Sequence, residues 1–354
     1  MSLSIGIVGL PNVGKSTLFI ALTRKQVDAS NYPFATIEPN VGVVPVPDPR
    51  LDALAEIVHP ARIMPATVEF VDIAGLVKGA SEGEGLGNQF LANIGDTDAI
   101  VEVVRYFTDP NVVHVSGAVD PLLDVGTIRT ELVLADLGTM ERTLARLEKE
   151  SKRDATLVAK LALTRRVNDW LEQGHRALRM DTSAEERALL ADLHLLTMKP
   201  MLYIANVDEG DVAKELPEID GVRPVPICAK LEAELADLEP PEAAAYLAEL
   251  GLAEPGLDAL IRRAYDLLGL MSFFTAGEKE VRAWTVHRGA RAPEAAGVIH
   301  TDFEKGFIKA ETISYEDFAA LGGEKGAREA GRLRVEGRDY VVQDGDVMHF
   351  RFNV

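Results

Sequence analysis

The chain has 354 residues, 47% hydrophobic and 26% charged, enough for two or three domains with cores of ordinary size. Its single cysteine, Cys228, excludes a disulfide framework and a thiolate metal cluster. A formal charge of −19 excludes a surface that binds nucleic acid as a whole, because phosphate backbones would be repelled, but it allows a local basic patch.

In chain order, Ile5 to Leu10 is too short for a secretion signal or a membrane span, so a cytoplasmic protein with no membrane partner is expected. Ser4 to Val8 reads as a buried strand running into Gly9-Leu10-Pro11-Asn12-Val13-Gly14-Lys15-Ser16-Thr17, which fits G-x-x-x-x-G-K-[ST]. The glycines let the backbone curl so that its N–H groups point at phosphates, and the apolar helix that follows adds its positive dipole end. Lys15 supplies a point charge to the β- and γ-phosphates, and the Ser16 hydroxyl is a candidate Mg2+ ligand. Thr36 lies where a first switch threonine would complete the metal site.

Thr67 to Val71 is a second strand, ending in Asp72-Ile73-Ala74-Gly75. In this order after a phosphate loop, Asp72 can hold Mg2+ and the Gly75 N–H can sense the γ-phosphate. Leu76 then stands where a water-orienting glutamine is usual, so hydrolysis is slow or another group polarises the water. Glycines at 79, 83, 85 and 87 predict a mobile loop.

Ala99 to Val104, Pro200 to Ala205 and Val225 to Ile227 are further apolar runs of strand length. Alternating with helical patterns, they predict an α/β fold with a mostly parallel sheet. Between them Val133, Leu137, Met140, Leu144 and Leu147 form a coiled-coil seam, and Leu157, Leu161, Val167 and Leu171 mark a second helix. An inserted antiparallel hairpin explains both, with a continuous bundle as the alternative. From 142 to 166 eight basic residues (Arg142, Arg146, Lys149, Lys152, Arg153, Lys160, Arg165, Arg166) face three acidic ones (Glu148, Glu150, Asp154), a net +5. A Glu148–Lys152 pair along one helix is the plain reading of part of this charge.

Guanine is read by Asn-Lys-x-Asp at the end of a strand, but the corresponding residues here are Asn206-Val207-Asp208-Glu209. The lysine is lost, Asp208 comes one place early and the last acid is one methylene longer. Cys228-Ala229-Lys230 stands for the usual Ser-Ala-Lys, whose backbone contacts to a base could survive the exchange. Glu232 to Glu254 is expected as a solvated helix and loop. From about Glu278, Val281 to Val286, Asp339 to Val342 and Val347 to Phe352 predict strands, with a turn at Gly345-Asp346, in a small α+β module.

Together the phosphate loop, Leu76, Asn206-Val207-Asp208-Glu209 and the block from Ala296 to Phe307 resemble the Obg-like ATPase (YchF) family over almost the whole chain. The resemblance implies a Ras-like P-loop NTPase domain (1–127 and 197–275) with an inserted α-helical hairpin (128–196), then a C-terminal β-grasp domain of the TGS type (276–354). It further implies hydrolysis of ATP in preference to GTP, and a ribosome or ribosomal RNA partner. It supports a catalytic role for His114, expected in a flexible loop, because imidazole can orient or deprotonate water near neutral pH. Asn12 resembles the asparagine of potassium-dependent GTPases and is a candidate K+ ligand, against the reading of a turn asparagine. The basic stretch would then face RNA at the hairpin tip. Nothing demands an oligomer, so a monomer is expected. A GTPase with a degenerate base loop and a binding module with incidental turnover are the competing functions.

Overall fold

A computed structural model of the chain describes residues 3–26, 40–73, 86–115 and 117–353. Thr36, Gly75, Leu76 and the glycines at 79, 83 and 85 lie outside the described residues. Two compact units divide the chain, one of Met1–Gly42 and Glu69–Leu260, the other of Val43–Val68 and Ile261–Val354.

The first unit holds β1 (Ser4–Val8), β4 (Thr67–Asp72), β5 (Ala99–Arg105), β6 (Met201–Asn206) and β7 (Val225–Ile227), β2 (Val41–Pro45) begins in it, and the sheet order is β2-β4-β1-β5-β6-β7. β1 pairs in parallel with β4 and β5, as does β5 with β6 and β6 with β7. All residues of β5 and β6 are buried, as expected for parallel strands covered on both faces. Helices α1 (Lys15–Arg24), α3 (Leu86–Gly95), α7 (Ala229–Leu235) and α8 (Pro240–Glu249) belong to this unit, and α9 (Gly256–Leu267) begins in it. Since β4 and β5 lie on opposite sides of β1, the loop after β1 leaves the sheet at a switch point, where α/β sheets place their ligands.

Helix α4 (Pro121–Glu150) runs for 30 residues. It starts earlier than the heptad pattern suggests because Asp120 is a good N-cap, accepting from Leu123 N–H at 3.1 Å, and Pro121 suits the first turn. Helix α5 (Val158–Glu172) returns along it. Val133, Met140 and Leu147 of the expected seam are buried, and Leu137 and Leu144 half-buried. The pair does not continue to 196. After Glu172 the chain turns back, and Ala177, Met180, Leu190, Leu193 and Leu195 complete the same core, with α6 (Ala184–Leu190) among them. Asp136 of α4 fastens this return by accepting from the N–H groups of Leu196 and Thr197, both at 2.8 Å.

The expected solvated stretch from Glu232 is also corrected. Glu232, Leu235 and Leu247 are buried, and Glu232 accepts from Gly256 N–H at 2.7 Å. The richness of the stretch in Ala and Glu hides this because burial here depends on residues distant in sequence.

The second unit holds a mixed sheet, β11-β10-β12-β8-β9-β3, with β3 (Ile63–Met64), β8 (Leu270–Ala276), β9 (Val281–His287), β10 (Phe307–Ile313), β11 (Arg334–Glu336) and β12 (Val347–Phe352). A boundary at 275/276 would cut β8, which pairs with β9 over its full length. The strand expected at Asp339 to Val342 is instead a turn with one bridge, Arg291 to Val341. Its conformation is set by Asp346, whose buried carboxylate accepts from Tyr340 OH at 2.7 Å and Gln343 N–H at 2.9 Å. Helix α2 (Pro49–Val58) belongs here, and α10 (Ala292–Ile299) lays Ala292, Ala295 and Ala296 on a core with Phe273, Phe307 and Phe350. Among the described residues, no helix is long and apolar enough to cross a membrane.

Candidate active site

Local backbone geometry shapes the loop after β1. Asn12 and Gly14 both take left-handed conformations, with φ of 64° and 90°. Asparagine tolerates this region and glycine takes it freely. A Cβ on Gly14 would stand 2.2 Å from Asn206 Nδ2, so a larger residue there would have to displace that side chain. Leu18 N–H donates to the Gly14 carbonyl at 3.0 Å as α1 begins. Val13 is buried, while Ser16 and Thr17 stay exposed on the first turn. The unpaired amides of that turn and the helix dipole favour a phosphate there.

Asp72, the last residue of β4, forms an ion pair with buried Lys15 through Oδ1 and Nζ. The charge assigned to phosphate and the carboxylate assigned to metal therefore sit side by side. A magnesium nucleotide offers each of them a new partner, the phosphate for Lys15 and the cation for Asp72.

Asn206, ending β6, joins this loop to the base motif. Its Nδ2 donates to the Val13 carbonyl at 2.8 Å and its Oδ1 accepts from Ala229 N–H at 3.0 Å. Val207 is buried, and its N–H donates to the Ile227 carbonyl at 2.9 Å. Asp208 is turned to Thr108, accepting from its N–H at 3.2 Å and its hydroxyl at 3.3 Å. Glu209 accepts from Tyr246 OH at 2.7 Å, and that bond pushes the phenol above its usual range. Cys228 is buried just ahead of α7, which raises its thiol, whereas the Lys230 side chain is exposed.

His114 departs from the expectation of an open, flexible loop. Its side chain is 4% exposed, and Nε2 lies 2.9 Å from Oδ2 of Asp124, itself 3% exposed, on the first turns of α4. Burial holds the Asp124 carboxyl above its ordinary range, opposed by the hydrogen bond from His114 and the charge of Arg105. The preceding loop is organised by Arg105, which donates to the carbonyls of Phe107 at 3.2 Å and Val112 at 3.0 Å and stacks on the Phe107 ring. Asn12 Nδ2 donates to the Val113 carbonyl at 3.1 Å, so the phosphate loop touches the residue before the histidine. Sequence reasoning missed Arg105, Thr108, Asp124 and Tyr246. An arginine closing a mostly apolar strand, with Glu102 as its one other charge, was the one available signal.

Two family models match: the one described as "50S ribosome-binding GTPase" over residues 4–160, and YchF-GTPase_C, described as "Protein of unknown function (DUF933)", over residues 270–353. The chain is 56% identical over 363 residues to the "Ribosome-binding ATPase YchF" of Haemophilus influenzae, with 100% of each chain covered. Identity to the protein of the same name in Bacillus subtilis is 52% over 366 residues, again with 100% of both covered. The fold matches the "Structure of the Schizosaccharomyces pombe YchF GTPase" with a TM-score of 0.89 at 38% identity, covering 99% of this chain and 98% of that one. With a P-loop domain, the inserted helical pair and the C-terminal domain all matched end to end, this chain belongs to the YchF family.

Proposed function

We propose that this chain is a ribosome-associated ATPase, slow in its basal state, whose bound nucleotide controls docking. Support for nucleotide hydrolysis comes from the phosphate loop with Lys15 and Asp72 at its mouth, and from relatives named ribosome-binding ATPases. The observation that supports the choice of base is at Glu209, which stands at the position of the guanine-reading aspartate: its carboxylate already accepts from Tyr246 OH at 2.7 Å. A guanine-reading aspartate must turn both oxygens to the N1 and N2 donors of the base. Buried Val207 also stands in place of the lysine stem. Donors of GTP left unpaired would lose roughly 1–3 kcal/mol each, which favours ATP and leaves GTP a weaker substrate.

Ser16, Thr36 and Asp72 are the residues we assign to Mg2+, and Gly75 to the γ-phosphate. An exposed hydroxyl on Ser16 and a half-buried carboxylate on Asp72 are hard oxygen donors that suit this ion. When bound, Mg2+ supplies charge neutralisation between the β- and γ-phosphates. Asn12 is assigned to K+: its Nδ2 serves the Val113 carbonyl, so Oδ1 is the atom a cation would use. His114 is assigned to the attacking water. For the ribosome we assign the end of the α4–α5 pair, and the protein acts as a monomer.

Calorimetric titration of the nucleotide-free protein with ATP and with GTP, each with Mg2+, tests the reading. ATP should bind at least about tenfold more tightly, the effect of one unpaired donor. Tighter binding of GTP would overturn it in favour of a GTPase.

A further inference from the structure

His114 cannot touch a nucleotide or its water from the position it holds. Its ring is almost wholly enclosed, and Nε2 is taken by Asp124. Yet the backbone that carries it is a neighbour of the phosphate loop, through the bond from Asn12 to the Val113 carbonyl. The chain on both sides is not packed into a core: Val113 and Val115 are exposed, as are Leu122 and Leu123 at the start of α4. A short segment therefore carries one buried ring between flanking side chains that are open to solvent.

The surroundings of Asp124 suit a ring that leaves. Among the described residues, Oδ1 of Asp124 and Nη1 of Arg105 are both buried without a hydrogen-bond partner, and the Arg105 charge acts on the carboxylate. A buried carboxylate abandoned by the His114 ring would be costly. Here a guanidinium with an unused N–H already exerts its charge on the carboxylate, held in place by the carbonyls of Phe107 and Val112.

We propose that Asp124 is a positioning residue that keeps His114 withdrawn from the phosphate site, with Arg105 stabilising the carboxylate when the imidazole swings out. This rests on the assignment of His114 to the attacking water. The resting state is then slow for two reasons, the leucine at position 76 and the withheld histidine. Anything that draws the exposed segment around Val113 and Val115 outward would release the ring, with Asp124 left paired to Arg105.

The test uses the full chain with Asp124→Asn, which keeps the shape of the side chain and leaves the Asp120 cap in place. Loss of the charge-assisted part of the bond should make His114 react about tenfold faster with diethyl pyrocarbonate, followed peptide by peptide by mass spectrometry. Single-turnover ATP hydrolysis should rise several-fold with KM unchanged, and His114→Ala should cancel the rise in the double variant. If Asp124→Asn destabilises α4, as circular dichroism would reveal, Asp124→Glu, which keeps the charge and moves it by one methylene, is compared in the same assays. Unchanged labelling of His114 in the folded variant overturns the proposal, as does a fall in hydrolysis, which would make Asp124 an activating partner. Faster labelling with no change in hydrolysis, in a protein where His114→Ala is also without effect, supports the hold by Asp124 and removes His114 from the reaction.

Discussion

Asn206 donates through Nδ2 to the carbonyl of Val13 at 2.8 Å, across 193 positions of sequence, and so ties the end of β6 to the phosphate loop. The same amide nitrogen is what a Cβ on Gly14 would strike. Gly14→Ala must either displace Asn206 or abandon its φ of 90°. Nucleotide affinity should fall by about tenfold to a hundredfold, as expected for loss of one buried bond plus backbone strain. Titration with ATP and Mg2+ measures it, and native affinity would mean that the loop tolerates another conformation.

Asn12 gives a salt prediction. If its Oδ1 holds a cation beside the phosphates, hydrolysis should rise when potassium replaces sodium at constant ionic strength. Asn12→Ala should abolish the difference between the salts. Equal rates for the native protein would leave Asn12 as a turn residue chosen for its positive φ.

The basic end of the helical pair is narrower than composition suggests. Lys160 pairs with Asp192, Arg165 with Glu148 and Arg166 with Glu186, so Glu148 does not serve Lys152. Arg146, Lys149, Lys152 and Arg153 are exposed and have no ion pair among the described residues. Changing Lys149, Lys152 and Arg153 to glutamate should weaken ribosome pelleting and flatten its decline with salt. For simple nucleic acids the logarithmic slope is about −0.7 to −0.9 per phosphate contact. Full retention of ribosomes by a variant with native circular dichroism would move the contact elsewhere.

Glu102 of β5 predicts a pH effect. Its carboxyl is fully buried, which lifts it well above the ordinary range against the pull of Arg129 and Arg176. Among the described residues its Oε2 has no hydrogen-bond partner. The folded state thus holds a proton more tightly than the unfolded one. Stability from this group is complete below the unfolded pKa and is lost as pH rises toward the folded one, at up to about 1.4 kcal/mol per pH unit. Glu102→Gln should match the native protein in acid and become the more stable as pH rises. Urea unfolding between pH 5 and 9 would reveal parallel curves if Glu102 were ionised throughout.

The phosphate end of the site is legible in sequence because its chemistry is local: nine consecutive residues form the loop, and a strand before them fixes its direction. Strands β1, β4, β5, β6 and β7 are legible for the same reason, as apolar runs bounded by turns. What Asn206 does for Val13 is not, although both residues were singled out, because a hydrogen bond between distant strand ends needs the sheet order. Burial of His114 escapes the sequence too. The residues around it are Pro, Asn and Val, a loop by composition, and its partner comes from a helix that packs there for other reasons. Asp339 to Val342 misleads in the opposite sense, since Asp346 draws an apolar segment into a turn.

Helix α4 carries Asp124 near its first turn and Lys149 in its last, without a break between. At 1.5 Å per residue its 30 residues form a rod of about 45 Å. A rod turning about Asp124 multiplies small rotations: a tilt of about 5° there would carry the far end about 3 Å, the length of a hydrogen bond. The carboxylate that grips the histidine therefore sits at the fulcrum of a lever whose tip is the charged surface. A ribosome pulling on that tip and a nucleotide pulling on the loop would act on the same short arm, so each could be felt by the other without any contact between them.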